Sequence, residues 1–212
     1  MNAIIFDLDG TLWDATDCAC TVLNQVASRY DPNHREITKA QIDPLMGKPM
    51  DEFGRILFPG FEEAMQKRII EEFGREEADY LKEHGAVLYD GLEETLKKLQ
   101  GNYRMFIVSN CQDGYIQAFL QAHKLEAYFE DIEMFGRTGL PKSGSIRVLM
   151  ERNHIQSAVY VGDTAGDEEA SRTAGIPFIY AAYGLGQAAA PDGVIAKIAD
   201  LPEVLAHWQD RA

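Results

Sequence analysis

Short apolar runs without alternating polar residues are the feature of this 212-residue chain that most constrains its fold. The runs are rich in Ile, Val, Phe or Tyr. They occupy residues 3–6, 105–108, 158–161 and 178–181, with weaker candidates at 132–135 and 194–195. Runs of this length and composition are typical of parallel strands that are covered on both faces of a sheet.

Helical patterns separate these runs, at residues 93–99, 114–122, 145–152 and 167–174. Strand–helix alternation of this kind predicts an α/β fold with a doubly wound parallel sheet. Ligands of such sheets bind outside the carboxyl ends of the strands. The residues that directly follow the strands are therefore the candidates for a functional site.

The spacing of the runs predicts an insertion after the first strand. Asp9 and Ser109 follow neighbouring predicted strands but are 100 residues apart. A strand–helix–strand unit needs roughly 30 residues, so about 70 residues are in excess. Residues 16–84 show helical periodicity and no clear strand, including a helix expected at 61–83 that Gly74 weakens. We therefore predict a helical domain at 16–84 inserted into a core made of residues 1–15 and 85–212.

The composition narrows the expected partners and compartment. Acidic residues outnumber basic residues by 34 to 20, so the net charge is −14 and neither nucleic acid nor an anionic membrane is an expected partner. No stretch approaches the roughly 18 apolar residues that cross a bilayer. The N-terminus lacks the cationic region of a secretory signal, and Cys18, Cys20 and Cys111 form no C-x-x-C pair. We expect a protein of the reducing cytoplasm.

Two pairs of aspartates follow predicted strands. Asp7 and Asp9 come after the first run, and Asp163 and Asp167 come after the run at 158–161. Each carboxylate pair at about 4 Å repels by roughly 4 kcal/mol at an effective dielectric constant near 20. A turn or a helix cap is the competing explanation, and it is the better one for Asp163 or Asp167 alone. The four together favour a hard divalent cation with oxygen ligands, and Mg²⁺ is the ion that we expect.

Ser109 at a predicted strand end and Lys142 in a loop complete a set of motifs with the four aspartates. Residues 7–11 (DLDGT), Ser109, Lys142 after Pro141, and residues 162–167 match, in order and rough spacing, the four motifs of the haloacid dehalogenase-like hydrolases. The resemblance spans nearly the whole chain. The insertion lies where the helical C1-type cap of the phosphoglycolate-phosphatase-like branch is found. The resemblance implies a Rossmann-like core, a mobile cap, Mg²⁺ and phosphoryl transfer through an aspartyl-phosphate.

The resemblance also implies a role for each catalytic residue. Asp7 corresponds to the nucleophile that attacks phosphorus. Asp9 corresponds to the acid that protonates the leaving alcohol and then the base that activates water. Ser109 corresponds to a hydrogen-bond donor to a phosphoryl oxygen, and Lys142 to the fixed positive charge near the developing negative charge.

The metal and substrate residues follow from the same motifs. The expected ligands of Mg²⁺ are Asp7, the main-chain carbonyl of Asp9, and Asp163, with Asp167 as a further or outer-sphere partner. The expected contacts to the phosphate are Gly10, Thr11, Ser109, Asn110 and Lys142. A helix cap is the competing explanation for Thr11, and a turn or cap for Ser109.

The inserted domain is expected to determine specificity, because the core motifs handle only phosphate. Residues 45–50 (LMGKPM) form a Gly/Pro turn, and in C1-type caps a loop of this kind faces the active site. Lys48 is therefore a candidate contact for an anionic group of the substrate. An exposed turn lysine is an equally good explanation. A loop at 184–189 resembles a dinucleotide fingerprint, but Pro191 leaves no room for the helix that would follow, so we expect it at the mouth of the site.

Asp9 favours phosphoryl transfer over dehalogenation, because the dehalogenases of this superfamily lack an aspartate at the corresponding position. We expect a Mg²⁺-dependent phosphomonoester hydrolase that acts on a small phosphorylated metabolite, phosphoglycolate-phosphatase-like, as a monomer or homodimer. Phosphoglycolate, sugar phosphates, nucleoside monophosphates and pyrophosphate remain open as substrates. A β-phosphoglucomutase-like phosphomutase and a non-catalytic phosphate-binding module are the alternatives.

Overall fold

The computed structural model describes residues 2–48 and 50–209. Its strands are β1 (Ala3–Phe6), β2 (Trp13–Asp14), β3 (Val87–Leu88), β4 (Arg104–Ser109), β5 (Asp131–Met134), β6 (Ala158–Gly162), β7 (Phe178–Ala181) and β8 (Gly193–Ile195). Its α-helices are α1 (Thr16–Tyr30), α2 (Lys39–Ile42), α3 (Met50–Leu57), α4 (Glu63–His84), α5 (Leu92–Leu99), α6 (Tyr115–His123), α7 (Phe135–Thr138), α8 (Lys142–Arg152), α9 (Ala165–Ala174) and α10 (Leu201–Gln209).

A parallel sheet with the strand order β5-β4-β1-β6-β7-β8 forms the centre of the described chain. All of its pairings are parallel, as the uninterrupted apolar runs predict. Separate hydrophobic clusters pack on its two faces. The predicted α/β fold with a doubly wound sheet is confirmed.

The weaker strand prediction at 132–135 is shifted by one residue. The strand covers Asp131–Met134, and Phe135 is the first residue of α7. The pairing with β4 ends at Met134, which lies opposite Ser109. Helix α4 begins at Glu63, two residues after the predicted start, and continues through Gly74 to His84. Packing on α1, α3 and α6 compensates for the low helix propensity of this glycine.

The helices of segment 16–84 build a hydrophobic cluster of their own. Val22, Leu23, Ile69 and Phe73, among others, are fully buried in it. The short antiparallel ribbon β2–β3 lies where the chain leaves and re-enters the sheet domain, with Trp13 opposite Leu88. The sequence did not predict this ribbon, because two residues per strand carry no periodicity. Among the helices of the described residues, none is long and apolar enough to cross a bilayer.

Candidate active site

The register of the sheet places three chain segments at one edge. Phe6 of β1 pairs with Ile107 of β4 on one side and with Val161 of β6 on the other. The next residues in each segment therefore leave the sheet side by side, and these include Asp7, Ser109 and Asp163. All three are at least 97% buried.

A left-handed turn after β1 makes room for Asp163. Gly10 has φ +79°, and a Cβ atom there would lie 2.2 Å from Oδ2 of Asp163. Only glycine fits this position without strain. The backbone N–H groups of Gly10 and Thr11 donate to the carbonyls of Trp13 and Leu8. These two residues thus shape the turn, while a contact between either of them and phosphate stays a prediction.

Lys142, at the first turn of α8, bridges two of the aspartates. Its Nζ lies 2.8 Å from Oδ1 of Asp7 and 2.5 Å from Oδ1 of Asp167. Burial opposes the charge of the ammonium, but the two carboxylates outweigh it and raise the pKa of Lys142. Lys142 is therefore a permanent positive charge in the interior. Its place in the site had been predicted only from the order of the sequence motifs.

Asp163 and Asp167 are held by hydrogen bonds from the backbone and from hydroxyl groups. Oδ2 of Asp163 accepts from the N–H groups of Leu185 (2.8 Å) and Gly186 (3.0 Å). Oδ2 of Asp167 accepts from the N–H and the hydroxyl of Thr164, in the capping box of α9. The loop at 184–186 therefore orients a carboxylate of the site, a role that the sequence analysis had not assigned.

Asp7, Asp163 and Asp167 offer the ligands for a cation. One carboxylate oxygen from each lies within 4.8 Å of the others. Oδ2 of Asp7 is buried and has no hydrogen-bond partner. Burial and the neighbouring carboxylates, Asp167 above all, raise the pKa of Asp7 and of Asp163. An unpartnered buried oxygen beside repelling acids fits a hard divalent cation with oxygen ligands.

Asp9 lies apart from this cluster and is held by two aromatic side chains. Its Oδ1 accepts a 2.9 Å hydrogen bond from Nε1 of Trp13 and a 2.8 Å hydrogen bond from the hydroxyl of Tyr115. Burial and the negative charge of Asp7 raise the pKa of Asp9 to about 7, although both hydrogen bonds lower it. A carboxyl group with a pKa near neutrality is suited to accept and to donate a proton in the same reaction.

A cavity of about 30 Å³ opens beside Asp9, between the sheet edge and the helices of segment 16–84. Ser109 and Asn110 line it from the sheet side, and Lys48 lines it from the turn before α3. Nδ2 of Asn110 donates to the carbonyl of Gly47 at 2.9 Å, which joins the two sides. Lys48 pairs with Glu52 at 3.0 Å, and Pro49 of the same turn lies outside the described residues.

Sequence reasoning missed several polar groups of this cavity. Trp13, Tyr115, Gln112 and Glu77 all contribute to the site or its wall. Nε2 of Gln112 lies 3.1 Å from Oε2 of Glu77, which is 3% exposed on α4. An isolated acid in an amphipathic helix and aromatic residues in apolar surroundings give no signal in sequence. Only the packing of α4 and α6 against the sheet edge brings them together.

The comparison with known proteins identifies the family. A family model described as haloacid dehalogenase-like hydrolase matches residues 4–181. The chain belongs to this family. The matched range includes the aspartates, Ser109 and Lys142, so the resemblance read from the four motifs is confirmed at the level of the family.

Relatives of known name cover most of the chain. A phosphoglycolate phosphatase from Synechococcus elongatus is 29% identical over 211 residues, which is 95% of either chain. A pyrophosphatase PpaX from Bacillus cereus is 26% identical over 98% of this chain and 97% of its own. A phosphorylated carbohydrates phosphatase from Thermotoga maritima is 28% identical over 85% of this chain and 84% of its own.

Solved structures of the same family share the fold. A predicted phosphoglycolate phosphatase from Haemophilus somnus superposes with a TM-score of 0.84 at 21% identity, over 97% of this chain and 98% of its own. A haloacid dehalogenase-like family protein from Streptococcus pneumoniae gives a TM-score of 0.81 at 22% identity, over 99% of both chains. The whole described chain, including the helical segment, thus has the architecture of this hydrolase family.

Proposed function

We propose that this haloacid dehalogenase-like hydrolase is a Mg²⁺-dependent phosphomonoester hydrolase that acts on a small organic phosphate through an aspartyl-phosphate. The observation that carries the proposal is the state of Asp7. One of its oxygens is fixed by Lys142, while the other is buried and has no hydrogen-bond partner. An oxygen that is positioned but not satisfied is suited to bind a cation or to attack an electrophile.

The reaction takes place in two displacements at phosphorus. An oxygen of Asp7 forms a bond to phosphorus as the bond from phosphorus to the leaving oxygen breaks, and Asp9 gives its proton to that oxygen. Asp9 then takes a proton from water, whose oxygen attacks the same phosphorus, and the bond to Asp7 breaks. The raised pKa of Asp9, about 7, supports its role as the acid in the first step and as the base in the second.

The residues that would hold Mg²⁺ are Asp7, Asp163, Asp167 and the main-chain carbonyl of Asp9. When bound, the ion supplies positive charge that offsets repulsion between the carboxylates and the phosphate. The chain itself contributes Lys142, which stays protonated between Asp7 and Asp167. Ser109, and with it Asn110, Gly10 and Thr11, are proposed to contact the phosphoryl oxygens.

We also propose that residues 16–84 act as a C1-type cap that moves relative to the core of residues 1–15 and 85–212. A cavity of about 30 Å³ is small for a phosphate ester, so we expect the two sides to separate when substrate enters. The ribbon β2–β3 contains both connections between the two sides, which otherwise meet through the packing of α4 on α6 and through hydrogen bonds such as Asn110–Gly47. These features support opening and closing about the ribbon.

Phosphoglycolate, pyrophosphate and phosphorylated carbohydrates are the substrate candidates that the names of the relatives suggest. A mutase would return the phosphoryl group to a sugar instead of water. A non-catalytic phosphate-binding module has no need for Asp9. Trp13 and Tyr115 both donate hydrogen bonds that hold the Asp9 carboxyl in place, which favours a catalytic role for this residue. The three free thiols support a cytoplasmic protein, and the net charge of −14 supports the absence of nucleic-acid and anionic membrane partners. We propose that the protein is a monomer or a homodimer.

The test is phosphate release from a panel of phosphomonoesters and pyrophosphate, each with Mg²⁺ and with EDTA. We expect Mg²⁺-dependent release from one or a few compounds, and its loss in the Asp7→Asn variant. The folded state of the variant is checked by circular dichroism. Undiminished release in EDTA would contradict the proposed metal dependence. No release from any compound by the folded protein would contradict the hydrolase itself.

A further inference from the structure

The cavity beside Asp9 is where the leaving group of the substrate must lie, and this inference rests on the proposed function. Asp9 gives its proton to the leaving oxygen, so the rest of the leaving group extends from Asp9 away from Asp7. The space on that side of Asp9 is the cavity between the sheet edge and segment 16–84. The groups on the cavity wall therefore contact the part of the substrate that distinguishes one phosphate ester from another.

Glu77 is the buried acid of this wall. It lies on α4, and its Oε2 accepts a 3.1 Å hydrogen bond from Nε2 of Gln112. The same nitrogen of Gln112 donates to the carbonyl of Gly74 at 3.2 Å, so the amide holds α4 at two points. Among the described residues, no lysine, arginine or histidine forms an ion pair with Glu77. A buried carboxyl without a cationic partner is expensive for stability, which points to a role in the site.

The charges that face Glu77 are negative or neutral. Asp9 lies near it at the end of β1, Tyr115 faces it from α6, and Cys18 from α1. Burial and the charge of Asp9 raise the pKa of Glu77 to about 8. Above about pH 8, where Glu77 is ionised, a second anion in this space would add repulsion that nothing on α1, α4 or α6 compensates.

Lys48 does not neutralise this wall. It is the cationic side chain that lines the cavity among the described residues, and it pairs with Glu52 at 3.0 Å. Its side chain is 44% exposed, whereas Glu77 is 3% exposed. The positive charge therefore lies at the solvent side of the cavity and the acid in its interior. The rest of the wall is largely apolar, with Met46, Phe53 and Phe73.

We propose that Glu77 is a specificity-determining residue that selects leaving groups with hydroxyl groups and no negative charge, of the sugar or polyol class. A hydroxyl of such a group donates to or accepts from the Glu77 carboxyl and satisfies it when the cavity opens for substrate. A carboxylate or a second phosphate on the leaving group is rejected. Of the candidate substrates, phosphorylated carbohydrates are favoured over phosphoglycolate and pyrophosphate.

The test compares two esters of similar size, 2-hydroxyethyl phosphate and phosphoglycolate, which differ in a hydroxymethyl group against a carboxylate. At about pH 9, above the pKa of Glu77, we expect kcat/KM to be at least about tenfold higher for 2-hydroxyethyl phosphate in the unaltered protein. The Glu77→Gln variant keeps the size of the side chain and, at about pH 9, removes the charge of the ionised carboxyl, so we expect the ratio at this pH to fall by about tenfold, through a gain on phosphoglycolate. Circular dichroism checks its folding, and the ratio of the unaltered protein tests the proposal without any variant.

Glu76→Gln is the matched control, because Glu76 lies on the same helix and pairs with Arg29 at the surface. We expect this variant to leave the ratio unchanged. A preference of the unaltered protein for phosphoglycolate, or an equal ratio in Glu77→Gln, overturns the proposal. Mg²⁺-dependent hydrolysis of p-nitrophenyl phosphate distinguishes failure of the Glu77 proposal from failure of the proposed function. If the protein hydrolyses this ester but the ratio is the same in Glu77→Gln, only the role of Glu77 is contradicted. The absence of hydrolysis from every ester contradicts the proposed function.

Discussion

Nε1 of Trp13 donates a 2.9 Å hydrogen bond to Oδ1 of Asp9, although Trp13 belongs to the ribbon that connects the sheet to segment 16–84. The hydroxyl of Tyr115 donates to the same oxygen at 2.8 Å. The carboxyl of Asp9 is thus anchored at one oxygen, and its other oxygen is left for the reacting groups. The cap movement proposed above would therefore be coupled, through this bond, to the residue proposed to transfer protons.

Loss of one of these hydrogen bonds is expected to raise the pKa of Asp9. In Tyr115→Phe, the carboxylate form loses a donor that stabilises it. A hydrogen bond to a charged group contributes about 1.5–3 kcal/mol, which corresponds to about one to two pKa units. The ionisation near pH 7 in the profile of kcat against pH should move upward by that amount. Tyr128→Phe, at a half-buried tyrosine whose hydroxyl hydrogen-bonds to Glu93 instead of Asp9, serves as the control.

Replacement of the proposed nucleophile should separate catalysis from folding. We expect Asp7→Asn to lower kcat by about 10³-fold or more. Lys142 keeps its partner Asp167, and one buried negative charge is removed, so the thermal midpoint should not fall. Phosphate release and thermal unfolding measure the two effects. A variant that retains activity would disprove the assignment of Asp7.

Lys142 is expected to be essential for stability as well as for activity. In Lys142→Met, the buried carboxylates of Asp7 and Asp167 lose their shared cation. Removal of one partner from a buried ion pair lowers the free energy of unfolding by about 3–5 kcal/mol. The exposed pair Lys39–Asp14 provides the control, because Lys39→Met should change this free energy by only about 0–1 kcal/mol. Urea unfolding in EDTA measures both, and equal effects would contradict the prediction.

The stability of the protein should depend on pH through Glu77. Its pKa is raised from 4.5 to about 8 in the folded state by burial and by Asp9. The folded state therefore binds the proton more tightly, and the stability that this provides is lost as the pH rises from 4.5 through about 8. The Glu77→Gln variant does not titrate at this position. Its thermal midpoint should rise relative to the unaltered protein across this range, whereas a constant difference would argue against a raised pKa.

The fold class was predictable from the sequence by itself, because short apolar runs typical of strands covered on both faces alternate with helical patterns. The sequence also placed Asp7, Ser109 and Asp163 at one edge, since the carboxyl ends of parallel strands lie together. The presence of Lys142 in the site had been expected only from the order of the motifs, and its position between Asp7 and Asp167 was not predicted. The structure adds its two contacts, at 2.8 and 2.5 Å.

The remaining residues around Asp9 could be identified only from the tertiary structure. Trp13, Tyr115 and Glu77 come from a two-residue strand and from two helices far apart in the chain, and each looks like an ordinary amphipathic or apolar position in sequence. Their relation to Asp9 depends on how segment 16–84 packs over the sheet edge. Contacts between elements that are distant in sequence leave no periodic signal, so local patterns reveal the sheet edge with the proposed catalytic residues but not the cavity wall that contains Glu77.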